Sequence, residues 1–512
     1  MPPRYVQAGR SAGARALLLI AIFAAGSCRS GTDSPGDHAA PTLRIGVGIG
    51  DSLKASGVTG LTHLFYTEPL LNRELDGRFT PRLATAWAWE QGGERLRVTL
   101  KPGVVMHDGT AVTSELVAAQ LQNLVPRPGV AVAWGFNYVT RVSAPDAATV
   151  LIELSQPDIF VLSALSELRI VHPTLPDVAT GPFRLISPAP QFEGARFDQY
   201  HGGRTALAGV RIITYETHRS AWAALMRGEV DVVQEVSRES VEFMEHSSSI
   251  RSYSSLQPFQ QSLVFNVTQP ILRNVDVRRA LVQALNPSEI LARAMRGRGR
   301  VADGPIWPLH WAYPPGGMNR EFSPDQARAA LDRAGHRQPR PVRAGALRTR
   351  FRLRCLVNKE DPQDERVALM VQRQLLDVGV HLEIELMPME ELIGRIAVGT
   401  FETYMVRANA SRTLERTYRF WRSTGPMNTA TQDSGYTGAD ALLDQLRRSR
   451  SDEEVRSAVE ALALQFRADA PAAFIAWLEI TRAVDARFDV DAEPGEDPFA
   501  HIWRWKLAGR PE

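Results

Sequence analysis

Between Arg350 and Leu386 the chain changes period twice. In FRLRCLV, Phe351, Leu353 and Cys355 alternate with polar positions, Gln363 to Leu376 reads as a helix, and His381 to Leu386 returns to a strand. A β-α-β unit of this kind favours a parallel sheet, because parallel strands need a crossover of this length. Related patterns stand upstream. Thr42 to Ile49 (TLRIGVGI) is a short strand ending in glycines, and Ala221 to Val233 (AWAALMRGEVDVV) reads as a helix stopped at Gly228 and followed by a buried strand. One hydrophobic core cannot serve 512 residues, so two or three domains are expected.

The N-terminus has its own signature. Arg4, Arg10 and Arg15 precede an apolar run from Ala16 to Ala25. That run fits the roughly 7 to 15 residues of a signal-peptide core and falls short of the roughly 20 needed to span a bilayer. Residues 1–28 therefore read as a secretion signal. The small residues Ala25-Gly26-Ser27 before Cys28 resemble a bacterial lipobox, which implies acylation of Cys28 and attachment to a membrane. Residues 29–41 read as a flexible tether. With Cys28 so used, Cys355 has no disulfide partner, and its alternating strand predicts a buried thiol. The formal charge is +2 with no long run of like charges, so nothing points to nucleic acid. The basic residues are nearly all arginine, which matches GC-rich coding and by itself marks no site. The 11 histidines are scattered, without His-x-x-x-His or Cys-x-x-Cys spacing, and no metal or other cofactor is expected. His107 reads as a turn residue.

Tyr66 to Leu121 is the densest run of signals. An apolar helix end gives way to a turn at Asp76-Gly77 and an amphipathic segment with Trp87 and Trp89. A hairpin-like pair split at Gly92-Gly93, a tight His107-Asp108-Gly109 turn and a helix opening at Thr113 follow. This order closely resembles the signature region of the family 5 extracytoplasmic solute-binding proteins, the peptide- and nickel-binding subunits of ABC importers. Further blocks extend the resemblance over roughly residues 42 to 508. They are a hairpin over Val139 to Leu154 turning at Pro145-Asp146, Ala179-Thr180-Gly181-Pro182-Phe183, Leu263 to Ala284 with its Asp-Val-Arg-x-Ala-Leu core, and the helix Glu453 to Ala468. Where relatives carry Asp-Arg this chain has Asn286-Pro287-Ser288-Glu289, which reads as a helix start with Asn286 as cap and Glu289 completing a capping box.

The resemblance implies an α/β, class II periplasmic-binding-protein-like fold with two large lobes and a smaller third around a cleft. Lobe I would comprise residues 42–60, 179–268 and 474–508, lobe II residues 61–178, and lobe III residues 269–473. It also implies a monomer that captures a peptide or peptide-like solute, closes about it and delivers it to ABC permease subunits from a lipid-anchored position in the periplasm. No enzymatic step is implied. A sensor or surface lipoprotein that lost its transporter is an alternative.

Candidate ligand-binding residues follow from the same resemblance. Ser52, in the loop after the first strand, either bonds a ligand or caps the next helix. Phe401 to Trp421 falls where peptide-binding relatives place an aspartate for the ligand's ammonium group; here Arg407 and Asn409 stand near that position and no Asp follows. An arginine there favours carboxylates or phosphates, unless it lies on the surface. Phe259 with Gln260, Trp307, Tyr404 and Trp134 either line the cleft or belong to the core. A rival reading comes from Gly50-Asp51-Ser52-Leu53, which resembles the nucleophile element of GDSL hydrolases, with Gly135-x-Asn137 as an oxyanion element. Those enzymes need Asp-x-x-His, whereas Asp497 and His501 are separated by one residue too many.

Overall fold

Two long antiparallel strands, Ile250–Phe265 and Ala472–Asp485, form the spine of the computed structural model. It describes residues 40–48, 55–126, 135–189, 191–244, 246–315, 321–338, 349–423 and 434–509. At about 3.3 Å per residue a 16-residue strand reaches about 50 Å, more than one core needs. The pairing is accordingly interrupted by two register shifts, the second after Gln261. Ile250 to Leu256 pair with Asp485 to Glu479, the register then shifts, and Gln260 resumes opposite Trp477.

Strands flank both ends of this spine in one large sheet. On one side lie Val232–Val233, Thr42–Gly48, Gly209–Tyr215, Glu193–Arg196 and Phe183–Ser187; on the other lie Thr403–Asn409, Phe351–Asn358 and Val380–Met387. Thr42–Gly48 runs parallel to both of its neighbours. The β-α-β unit expected over residues 350–386 is present: Phe351–Asn358 pairs in parallel with Val380–Met387, and helix Pro362–Asp377 joins them. Cys355 lies on the first of these strands with no exposure, and burial pushes its thiol up to about 12.

Residues 70–170 build a separate four-stranded antiparallel sheet in the order Ala84–Glu90, Arg95–Leu100, Thr149–Leu154, Val139–Asp146. Its first hairpin turns where expected, with Gly92 and Gly93 at positive φ (65° and 95°). The second turns later than the sequence suggests. Pro145 remains in an irregular stretch of strand, and Asp146 makes the turn by accepting a hydrogen bond from the Ala148 N–H at 2.9 Å. This sheet packs its own core, Leu96, Val98, Val117, Leu121, Ile152 and Leu165 among others. A second core gathers around Ile45, Phe65, Phe192 and Trp505, a third around Leu263, Val277, Leu353 and Val371, and a fourth around Trp307, Trp421, Phe466 and Trp477.

Helix ends follow the sequence signals. Thr113 accepts from the Leu116 N–H at 3.2 Å and Asn286 from the Glu289 N–H at 3.1 Å. The second half of the expected capping box is replaced. Glu289 accepts from Gln374 Nε2 at 3.0 Å, while Gln374 Oε1 takes the Asn286 N–H at 2.9 Å. A neighbouring helix thus satisfies the donor that Glu289 would have bound.

The chain leaves the four-stranded region through a narrow junction. His107 is more than a turn residue, since its Nε2 lies 2.9 Å from the Gly181 carbonyl and its Nδ1 accepts from the Ala179 N–H at 3.4 Å. The Gly181 N–H donates to the Tyr66 carbonyl at 3.1 Å. Beside it Glu68 is buried and bound by Arg82 (2.6 Å), Tyr200 (2.8 Å) and His201 (2.8 Å). Burial raises the Glu68 pKa, but these partners outweigh it and hold the carboxyl below its usual value.

Candidate functional site

Where the spine meets Thr403–Asn409, the register sets Phe259 opposite Asn409, Gln260 opposite Ala408 and Gln261 opposite Arg407. Four of the sequence candidates are therefore neighbours. Phe259 is 39% exposed at the register shift of its strand. Gln260 is buried and donates from Nε2 to the Gly304 carbonyl at 2.6 Å. Asn409 is exposed, and its Oδ1 accepts from the Ser411 N–H at 2.9 Å, turning the chain out of the sheet. A cavity of about 20 Å3 opens between Gln260, Ser262, Asn409 and Arg416.

Arg407 is not an open cation. Its guanidinium is paired with Asp361, which also caps helix Pro362–Asp377 by accepting from the Gln363 N–H at 2.9 Å. Asp364, one position further into the same turn, accepts from Gln261 Nε2 at 3.0 Å. Burial, then the neighbouring Asp361, raises the Asp364 pKa to about 6. Two carboxyls thus surround one guanidinium, and the local excess is acidic.

Trp307 and Tyr404 sit in the core, each 1% exposed. Trp307 meets Trp477 edge-on at 5.3 Å, and its Nε1–H donates to the Leu75 carbonyl at 2.7 Å, so it ties residues near 75 to the far half of the molecule. Burial raises the Tyr404 phenol. Ser52, Trp134 and the lipobox Cys28 lie outside the described residues.

A charged cluster beyond the sheet had no local signal. Arg73 pairs with Glu167 at 2.8 Å and donates to Ser411 Oγ at 3.3 Å. Arg416 approaches Glu167 at 3.8 Å, and Arg419 approaches Glu415 at 3.9 Å. Glu415 is buried, and burial raises its pKa to about 7 despite Arg419; burial also lowers Arg419 to about 10. Arginines that read as coding bias along the sequence are here part of a half-buried polar network that joins residues up to 338 positions apart.

The hydrolase constellation is not assembled. Asp497 is clamped by Arg482, Nε to Oδ1 at 3.0 Å and Nη2 to Oδ2 at 2.5 Å, and accepts the Phe499 N–H at 3.1 Å. His501 faces Glu496 instead, at 3.7 Å. Among the described residues no group of three or more His, Cys, Asp or Glu side chains is placed to hold a metal ion, and no helix is long and apolar enough to cross a membrane.

Comparison with known proteins finds relatives in sequence and in structure. Residues 78–429 match the family described as bacterial extracellular solute-binding proteins, family 5 Middle. The chain is 24% identical over 341 residues to the probable D,D-dipeptide-binding periplasmic protein DdpA of Escherichia coli K12, covering 62% of this chain and 63% of that protein. It is 23% identical over 390 residues to the dipeptide-binding protein of the same organism, covering 68% and 72%. In solved structures its fold matches NikA from Brucella suis in complex with Fe(III)-EDTA (TM-score 0.76, 18% identity, 91% and 100% of the two chains). It also matches the oligopeptide-binding protein AppA from Bacillus subtilis in complex with a nonapeptide (TM-score 0.71, 19% identity, 91% and 100%).

Proposed function

The chain belongs to the bacterial extracellular solute-binding proteins of family 5, and on that premise we propose that it is the substrate-binding lipoprotein of an ABC importer. As a member of that family it is a ligand binder and not an enzyme. The observation that carries the reading is the span of the family match, residues 78–429, which includes both the strand pair holding Phe259, Gln260, Arg407 and Asn409 and the junction at Gly181.

The ligand is a peptide or peptide-like solute. Relatives named for dipeptides support this class, and so does the charge at Arg407. A free guanidinium there would repel a peptide ammonium group, but Asp361 neutralises it and Asp364 adds further acidity. Capture occurs between lobe I (42–60, 179–268, 474–508) and lobe III (269–473), with lobe II (61–178) alongside. Closure follows because a bound solute bridges both lobes, and only differential affinity for the closed state can shift that equilibrium. The closed form is delivered to membrane permease subunits. Acylated Cys28 holds the protein at the membrane facing the periplasm, as a monomer.

The test is mass spectrometry of small molecules released by denaturing the protein made without residues 1–28. A stoichiometric population of short peptides is the expected result. A single non-peptide solute would refute the substrate class, and a preparation that neither carries nor takes up any peptide would refute the binding role. Palmitate labelling that persists in Cys28→Ser would refute the anchor.

A further inference from the structure

Residues 77–93 and 157–163 face residues 310–311, 413–414 and 449–455 across a cavity of about 520 Å3, well within the range of small-molecule sites. It shares no residue with the Phe259, Gln260, Arg407 and Asn409 group. Its walls are aromatic. Trp87 and Trp89 stand two positions apart on strand Ala84–Glu90 and so line one face of it, half-buried at the edge of the four-stranded sheet's core. Trp311 and Phe160 face them from other segments. Trp311 already carries guanidinium groups, Arg78 at 4.4 Å and Arg456 at 5.3 Å from its ring centre.

Among the buried polar residues of this lining, which include Ser163, His310, Thr413 and Ser449, one is an acid. Asp158 is 2% exposed, and its Oδ1 accepts the Phe160 N–H at 3.0 Å. Among the described residues no basic side chain lies within ion-pair distance of its carboxyl. Burial pushes the group up to about 7, against weaker opposing pulls from the Phe160 N–H and then Arg447. The other charges around the cavity are accounted for. Arg78 is answered by Asp452 at 3.3 Å. Arg450 is exposed at the mouth beside Gly92. His310 is kept neutral, since burial and then Arg78 lower it to about 3. Asp158 thus lines the cavity without an ion-pair partner among the described residues.

We propose that this cavity is a second binding site, separate from the capture site of the family, and that it takes a ring-bearing organic amine. The ring lies against Trp87 and Trp89, and the ammonium group bonds the Asp158 carboxylate. The bound molecule would touch both faces of the cavity and so join residues 77–93 to residues 449–455.

The test is calorimetric titration of the mature chain with tryptamine at pH 7.5, using indole-3-propionate as the matched anion. Saturable 1:1 binding of tryptamine is expected, with the anion binding at least about tenfold more weakly. Asp158→Asn, which keeps the oxygen that accepts the Phe160 N–H, should lose about tenfold or more in tryptamine affinity. Arg450→Glu at the mouth should strengthen it. Binding must survive in Phe259→Ala, whereas its loss there would place the amine in the family's capture site and overturn the proposal. No saturable binding, equal binding of the two ligands, or unchanged affinity in Asp158→Asn would overturn it as well. None of these results bears on whether peptides are released from the protein, so the two readings fail separately.

Discussion

Replacing Asp158 with asparagine should make the protein more stable at alkaline pH and leave it nearly unchanged in acid. The carboxyl is raised from 3.8 to about 7 chiefly by burial, and the hydrogen bond it accepts from the Phe160 N–H is one that asparagine keeps. A raised carboxyl pKa means that the folded state holds a proton the unfolded state has released, over the window between 3.8 and about 7. Its stabilising effect is therefore fully present below the unfolded value and is lost as pH rises through the folded value. A difference of about 3 pKa units at 1.36 kcal/mol each sets an upper bound of about 4 kcal/mol at pH 8.5. Relaxation of the surroundings about the charged form reduces that, so about 2 to 4 kcal/mol is expected, and less than about 1 kcal/mol at pH 4.5. Urea unfolding of both proteins between pH 4.5 and 8.5 measures it. Glu415, Asp364 and His310 titrate in both, so the difference between the two curves isolates Asp158. Parallel curves, or a variant less stable than the parent at pH 8.5, would show that burial does not hold the proton on Asp158.

Gly181→Ala should cost about 2 kcal/mol or more, because a Cβ there would stand 2.5 Å from the Tyr66 carbonyl carbon, too close for either backbone to keep its place. A thermal melt within 1 °C of the parent would contradict this. Arg278→Lys should destabilise by about 2 kcal/mol, since the guanidinium donates to the carbonyls of Leu272, Arg273, Asp469 and Ala470 around the end of helix Asp452–Asp469, and one ammonium cannot reach all four. Urea midpoints decide it. Cys355 should resist iodoacetamide at pH 8 in the folded protein and react within minutes in urea, because its buried thiol is pushed to about 12. Rapid labelling of the native protein would show that the strand opens.

Signals that act within a few residues were legible in the sequence. Alternation in FRLRCLV, the caps at Thr113 and Asn286, the Gly92-Gly93 hairpin and the crossover to Val380–Met387 each depend on backbone geometry that neighbouring residues impose. The order of such elements was enough to indicate the family. The errors were also local, and distant residues caused them: Gln374 took the bonds expected of a capping box, and Ala179 and Gly181 engaged His107. The candidate site was legible only as residue types. That Phe259 and Asn409 are neighbours, that Asp361 neutralises Arg407, and that Trp307 is core follow from the register of strands and from contacts across dozens to hundreds of positions. The cavity holding Asp158 draws on segments from residue 77 to residue 455, and none of them contains a motif for it. Periodicity and capping are properties of the chain's own turns, so sequence determines them. The charge a side chain carries, and whether it meets a partner or a cavity, depend on which distant segments exclude water from it, and only the tertiary structure decides that.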